Sequence, residues 1–353
     1  MAPSLLEVNK KPGVHYAVTV DGIELPVVDV THPAFLVSLS ESEQQTRIRK
    51  FLNERPPFAV LPRFLRTRLL QVFLRGSVLS KGIRASQGSF MRGMDTYLLK
   101  LGPQMLGAYA TPIDRRIAAS LPSLSVRLRL QDMARLMADA LRLPLSRQPR
   151  RPLQFINIAG GPAIDSLNAL IVIQKNDPAA LRERPVSIDV LDLDEAGPKF
   201  GQAALSALSR AGAPLHGTQL AFRHIRYDWS NPAGLKPVLD EARAQNAIVI
   251  GSSEGGLFEY GSDEQIQGNL EALRGSLECF VGSVTRDDET MKRLMNMSTA
   301  ATRPRGITVF RELARNAGWE VSRFIERPLS DQVVLTPNPH LWQNRPEAGH
   351  PDS

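Results

Sequence analysis

The segment FINIAGGPAID (Phe155–Asp165) decides the fold that the sequence predicts. Five mostly apolar residues, the pattern of a buried strand, run directly into Gly160-Gly161-Pro162, and a helical pattern follows. A turn of small residues lets a ligand approach the backbone and leaves the first amide groups of the helix free to face it. The segment therefore predicts the first strand and helix of a parallel sheet, with a ligand beyond the strand end.

Apolar runs and helical segments alternate through the rest of the chain. Strands are predicted at Gln154–Ala159, Val186–Asp192, Leu220–Ile225, Ala247–Gly251, Glu278–Val284, Glu320–Arg327 and Asp331–Pro337. The last two are close enough to pair as a hairpin, and an amphipathic helix precedes them. This alternation predicts an α/β protein with a Rossmann-like, seven-stranded, mostly parallel sheet and flanking helices.

The part of the chain before this sheet has a different pattern. Residues 1–150 predict an amino-terminal, mostly helical domain, which carries a small β-hairpin around Asp21-Gly22, a dipeptide suited to a tight turn. The segment Ser146–Pro152, with two prolines and three arginines, predicts a linker. The sheet domain then covers residues 151–340, and residues 341–353 form a tail.

Composition excludes several classes of protein. Of the 353 residues, 42% are hydrophobic, which is ordinary for a globular chain with a substantial core. The single cysteine, Cys279, excludes an intramolecular disulfide and a zinc site built from cysteines. No apolar run approaches the roughly 20 residues that span a bilayer, and the amino terminus lacks a signal-peptide core. We expect a soluble, cytoplasmic protein without a membrane partner.

The net charge of +7 and the pI near 9.7 raise the question of a polyanionic partner. Arginines alternate with apolar residues at helical spacing in Arg63–Gly76 and in Ser125–Leu143. This spacing predicts amphipathic helices whose charged faces meet water. Binding to nucleic acid or to an anionic membrane surface is the less favoured alternative.

The sequence INIAGGPA resembles the first motif of the class I S-adenosylmethionine-dependent methyltransferases. In that family a strand ends in an acidic residue, and a Gly-x-Gly-x-Gly loop then cradles the methionine part of the cofactor. Asn157 falls at the acid, and Ala159, Gly161 and Ala163 fall at the three glycines, so only the middle glycine is kept. The resemblance implies that Asn157, Ala159, Gly160 and Gly161 lie at the cofactor.

Three further segments follow in the order of the family's motifs: VLDLDEA, HIRYDWS and VIGSSEGGLFEY. The resemblance implies that Asp192, with Leu193 beside it, takes the ribose hydroxyls. Asp228 would receive the adenine amino group while Trp229 covers the ring. Ser252 follows the fourth strand, where cofactor and acceptor meet in the family.

Residues for the chemistry are less sharply defined. Class I transfer is a displacement at an activated sulfonium, and an acceptor hydroxyl or protonated amine also needs a base. His224, Glu254, Glu259 and Tyr260 are candidates, and Glu254 is the first choice because it comes soonest after the fourth strand. No metal constellation is present in the sequence, so no metal is expected.

Two segments are predicted to build an acceptor pocket: Gly82–Gly102, and Thr285–Gly306 with Met291, Met295 and Met297 as an adaptable apolar wall. We expect O- or N-methylation of a small molecule, of the kind found in bacterial secondary metabolism. An RNA methyltransferase is one alternative. A noncatalytic partner subunit, suggested by the missing glycines, is another, and a homodimer is left open.

Overall fold

A computed structural model describes residues 10–54, 76–86, 88–297 and 300–338. Its centre is a seven-stranded sheet, and two short strands near the amino terminus pair separately. The strands are β1 Tyr16–Val18, β2 Glu24–Pro26, β3 Leu153–Ile158, β4 Val186–Asp192, β5 Leu220–Arg226, β6 Ile248–Ser253, β7 Cys279–Thr285, β8 Trp319–Glu326 and β9 Ser330–Pro337. The seven predicted strands of the large sheet are confirmed, each within two residues of its predicted ends.

The order of strands in the large sheet is β5-β4-β3-β6-β7-β9-β8. Strands β3 to β7 run parallel, whereas β9 is antiparallel to both β7 and β8. The two central strands β3 and β6 are buried along their whole length, as expected for strands covered on both faces. The carboxyl ends of the parallel strands therefore meet at one edge of the sheet.

Helices cover both faces. Their bounds are α1 Glu41–Asn53, α2 Val78–Ala85, α3 Gly93–Lys100, α4 Pro112–Ala118, α5 Leu121–Arg147, α6 Ile164–Asn176, α7 Ala196–Leu208, α8 Lys236–Ala244, α9 Leu257–Tyr260, α10 Asp263–Leu273, α11 Glu289–Met297 and α12 Gly306–Asn316. One hydrophobic cluster joins α5, α6 and α7 to the sheet, and another joins α8, α10 and α12 to it. The predicted layered α/β architecture is confirmed.

The amino-terminal part of the chain shares the first of these clusters. Residues of β2, α3 and the long helix α5 pack together with β3 and α6 in one continuous core. Asn168 on α6 accepts from the amide of Val30 (2.7 Å) and donates to the carbonyl of Val28 (2.9 Å), which fastens the segment after β2 to the sheet layer. The predicted hairpin is present, and helices are present in the described parts of residues 1–150, which share their hydrophobic core with the sheet.

One prediction about the arginines needs correction. The charged face predicted for α5 does not meet water at Arg129, which is buried against Glu254 and Glu259. In the segment predicted as a linker, residues 148–152 have no regular structure, and Arg151 donates to the carbonyls of Asn246 (2.7 Å) and Ala247 (2.9 Å). The other arginine segment, residues 63–75, lies outside the described residues. In the described ranges, none of the helices combines the length and the apolar character needed to cross a bilayer.

Candidate functional site

A cleft of about 380 Å³ opens at the carboxyl ends of the parallel strands. We call it the strand-end cleft. Its walls come from both parts of the chain, and the lining residues lie within the stretches 90–100, 159–160, 192–194, 227–230 and 254–265. This is the edge at which open parallel sheets bind ligands.

The turn after β3 forms the floor of the strand-end cleft. Ala159, Gly161 and Ala163 have φ angles of 54°, 56° and 48°, all left-handed. These are the three positions that the sequence matched to Gly-x-Gly-x-Gly. Alanine enters this region at a cost of roughly 1 kcal/mol, so the turn keeps its conformation although two glycines are replaced. At Gly160 a Cβ would lie 1.9 Å from Oδ1 of Asn157, so this position requires glycine.

A buried polar cluster lies beneath the turn. The side-chain amide of Asn157 donates to Oδ1 of Asp165 (2.8 Å), Oγ of Ser166 (3.1 Å) and Oγ of Ser252 (3.0 Å). Burial raises the pKa of Asp165 to about 6. The sequence placed Asn157 and Ser252 at the cofactor, but neither lines the strand-end cleft. Both instead support the turn from below, beside Asp165, an acid that the sequence analysis did not select.

Asp192 at the end of β4 closes one side of the turn. Its Oδ2 accepts from the amide of Gly161 (3.0 Å), and its Oδ1 accepts from the amide of Asp194 (2.9 Å). Burial raises the pKa of Asp192, and these two amide bonds oppose the shift. Asp192 and Leu193 both line the strand-end cleft. The acid is thus fixed in position while still facing the cleft.

Asp228 and Trp229 follow β5 on the same wall. The Asp228 carboxylate accepts from the amide of Ser230 (2.9 Å), and this bond lowers its pKa. The Trp229 ring meets Phe90 edge to face at 6.1 Å, and Phe90 is also 6.1 Å from the ring of Tyr260. Phe90 therefore links the two walls across the mouth of the cleft.

Four charged side chains meet at the inner end of the strand-end cleft. Oε2 of Glu254 accepts from Nζ of Lys100 (2.6 Å), and its Oε1 accepts from Nε of Arg129 (3.1 Å). Nη1 of Arg129 donates to Oε2 of Glu259 (3.2 Å). Lys100, Arg129 and Glu254 are buried. Both oxygens of Glu254 are occupied by cations, a geometry that favours binding and positioning over proton transfer. We call these four residues the charged cluster.

The two remaining predicted catalytic residues, Tyr260 and His224, differ in whether they line the strand-end cleft. Tyr260 lines it, and burial raises the pKa of its hydroxyl. His224 does not line it. Its Nε2 lies 2.9 Å from the carbonyl of Asp192, so the ring supports the end of β4. The sequence did not identify Lys100 and Arg129 as site residues, because each lies more than 120 residues along the chain from its partner Glu254.

A second cavity, of about 260 Å³, adjoins the strand-end cleft. Met91, Thr96, Gly255 and Tyr260 line both spaces. The two segments predicted to build an acceptor pocket both contribute to the second cavity, including the three predicted methionines Met291, Met295 and Met297. The charged cluster lies between the spaces, with Glu254 on the cleft side and Glu259 on the side of the second cavity.

The strand order, with β9 antiparallel between β7 and β8, is that of the class I methyltransferase fold, and this chain has that fold. The turn after β3 and the acids at the ends of β4 and β5 lie at the carboxyl edge of the parallel strands, the edge at which open sheets of this kind bind ligands. In the described ranges, no group of three His, Cys, Asp or Glu side chains could hold a metal ion.

No protein-family model matches the sequence, and no curated protein matches it. Among solved structures, the chain is similar to LepI in complex with SAM (18% identity, 57% of this chain, 46% of that chain, TM-score 0.36). It is also similar to the pyocyanin biosynthetic protein PhzM (14% identity, 61% of this chain, 58% of that chain, TM-score 0.37). A third similar structure is magnesium protoporphyrin IX methyltransferase from Synechocystis PCC 6803 with bound SAH (12% identity, 60% of this chain, 87% of that chain, TM-score 0.38). The matched part spans less than half of LepI and less than two thirds of PhzM.

Proposed function

We propose that the protein binds S-adenosylmethionine in the strand-end cleft and transfers its methyl group to a small molecule. The observation that carries this proposal is the set of groups along one cleft: a left-handed small-residue turn, two strand-end carboxylates and an indole. Asp192 can accept from ribose hydroxyls and Asp228 from an exocyclic amino group, while Trp229 offers an apolar face to a purine. These are the recognition features of an adenosine.

The turn and the charged cluster suit the other end of the donor. Ala159 and Gly160 line the cleft and carry at most a methyl group, so a ligand can approach the backbone of the turn closely. Lys100 and Glu254 line the same cleft as an ion pair (2.6 Å), and the carboxylate and ammonium of a methionine moiety, whose charges cancel each other, would extend this pair without adding net charge. Bound S-adenosylmethionine would supply the activated methyl group, and the chain's part is to hold donor and acceptor in line.

The choice of a small acceptor rests on two features. The second cavity adjoins the strand-end cleft, and its volume of about 260 Å³, just under the roughly 300–1,000 Å³ of typical ligand pockets, leaves room only for a small acceptor. The arginines that would favour an RNA acceptor are in part committed elsewhere, since Arg129 binds Glu254 and Glu259, and Arg151 binds backbone carbonyls. Arg63, Arg66 and Arg68 lie outside the described residues, so the RNA alternative needs an experiment.

The test is incubation of the protein with methyl-labelled S-adenosylmethionine and, separately, with a bacterial small-molecule extract or total RNA. We expect label in a small-molecule product and release of S-adenosylhomocysteine in equal amount. Label in RNA would select the RNA alternative. Binding of S-adenosylhomocysteine without transfer to either pool would favour the noncatalytic partner.

A further inference from the structure

The second cavity has a distinct chemistry. Much of its wall is aliphatic or thioether, including Ile83, Leu99, Val126, Met291, Leu294 and Met295. Most of its polar lining groups are serine and threonine hydroxyls. Of the described residues that line it, only Arg129 and Glu259 carry full charges. Such a wall favours an apolar ligand that offers few polar groups.

The charges at the second cavity are already compensated. Arg129 lies between Glu254 (3.1 Å) and Glu259 (3.2 Å), and Lys100 pairs with Glu254 (2.6 Å), so two cations face two carboxylates. A charged ligand would enter this space without a free counter-ion, at a considerable desolvation cost. A neutral ligand avoids that cost.

We propose that the second cavity is the acceptor site and takes a small, uncharged, mainly apolar molecule whose polar group meets Glu259. This inference rests on the proposed function, because it needs a donor in the adjoining strand-end cleft. Glu259 lines the second cavity and lies next to Tyr260, which lines both spaces. The acceptor's polar group is thereby directed toward the junction, where Met91, Thr96 and Gly255 also lie.

Two further features support this assignment. Burial raises the pKa of Glu259, against the opposing charge of Arg129, so the carboxyl is suited to exchange a hydrogen bond with a hydroxyl or amine. Met295 is 38% exposed on α11, so the methionine wall reaches the surface of the protein. Methionine side chains adapt readily to a ligand's shape, which suits a wall that contains Met291, Met295 and Met297.

The test uses 2-naphthol as a neutral probe and 2-naphthoate as its anionic counterpart, each titrated into the full chain saturated with S-adenosylhomocysteine. We expect 2-naphthol to bind at least about tenfold more tightly than 2-naphthoate. Ser125→Trp, which fills the cavity from α5, should weaken 2-naphthol binding about tenfold or more without changing the affinity for S-adenosylhomocysteine. Leu143→Trp, at a position 57% exposed on the same helix, is the matched control and should change neither.

Met295→Trp provides a second filling variant at a partly exposed position, in case Ser125→Trp does not fold. The inference is overturned if 2-naphthol binding survives in the folded filling variants, or if 2-naphthoate binds as well as 2-naphthol. The wild-type chain could also bind 2-naphthol in the second cavity without binding S-adenosylhomocysteine. That result would overturn the proposed function and the acceptor role, but the second cavity would remain a site for neutral ligands.

Discussion

At the scale of single residues, the turn after β3 keeps its left-handed conformation, and so still forms the floor of the strand-end cleft, although two of the expected glycines are alanines. We predict that Ala159→Val destabilises the protein by about 1–3 kcal/mol, because a β-branched residue is strained at φ 54°. Ala159→Gly should change the free energy of unfolding by less than about 1 kcal/mol, since relief of strain and added chain entropy oppose each other. Urea unfolding measures both.

The matched control is Ala119→Val, at an exposed position with φ −88°, where we expect a change within about 0.5 kcal/mol. If Ala159→Val were as stable as the wild type, the turn would not have the conformation described.

We predict that the raised pKa of Asp165 makes the free energy of unfolding depend on pH. Its pKa is about 6 in the folded chain, against 3.8 as an ordinary value, so between these pH values the folded state holds a proton that the unfolded chain releases. The free energy of unfolding therefore falls as the pH rises through this window, and the total decrease by about pH 6 is up to roughly 3 kcal/mol. Asp165→Asn should remove this loss. Urea unfolding of both proteins between pH 4 and pH 7 compares them, and parallel curves would refute the assignment.

At the scale of elements, the long helix α5 does more than cover the sheet, because it delivers Arg129 to two carboxylates. We predict that Arg129→Met destabilises the protein by about 3–5 kcal/mol, since, among the residues that the structure describes, Glu259 loses its ion-pair partner and Glu254 keeps only Lys100. Arg135→Met, at an exposed position of the same helix, should change stability by no more than about 0.5 kcal/mol. Equal effects of the two changes, measured by thermal unfolding, would show that the charged cluster does not form.

The elements also show what the sequence could and could not predict. The strands of the large sheet are apolar runs or alternate apolar with polar residues, and Asp192, Asp228 and Trp229 lie at or just after strand ends, so local patterns were sufficient to place them at one edge. Arg129 fits a solvated helix face equally well from sequence alone. Only the packing of α5 against the end of β6 reveals its partner, because that contact joins residues 125 positions apart. Asp165 was missed since an acid in a first helical turn is ordinary.

At the scale of the whole molecule, the amino-terminal part and the sheet act as one structure around two adjoining spaces. Phe90 and Lys100 come from the first part, and Trp229 and Glu254 from the second, so neither part builds the strand-end cleft alone. Ligand binding should therefore stabilise the two parts together, in a single unfolding transition. The homodimer stays a prediction, which sedimentation of the full chain would decide.

Calorimetric titration with S-adenosylhomocysteine measures whether the strand-end cleft binds the methyl donor. We expect one site per chain in the wild type. Asp192→Ala should weaken binding by about 1.5–3 kcal/mol, the value of a hydrogen bond to a charged group, whereas Asp240→Ala, on the exposed part of α8, should bind normally. No binding by the wild type, or equal affinity in Asp192→Ala, would show that the strand-end cleft is not a binding site for S-adenosylmethionine.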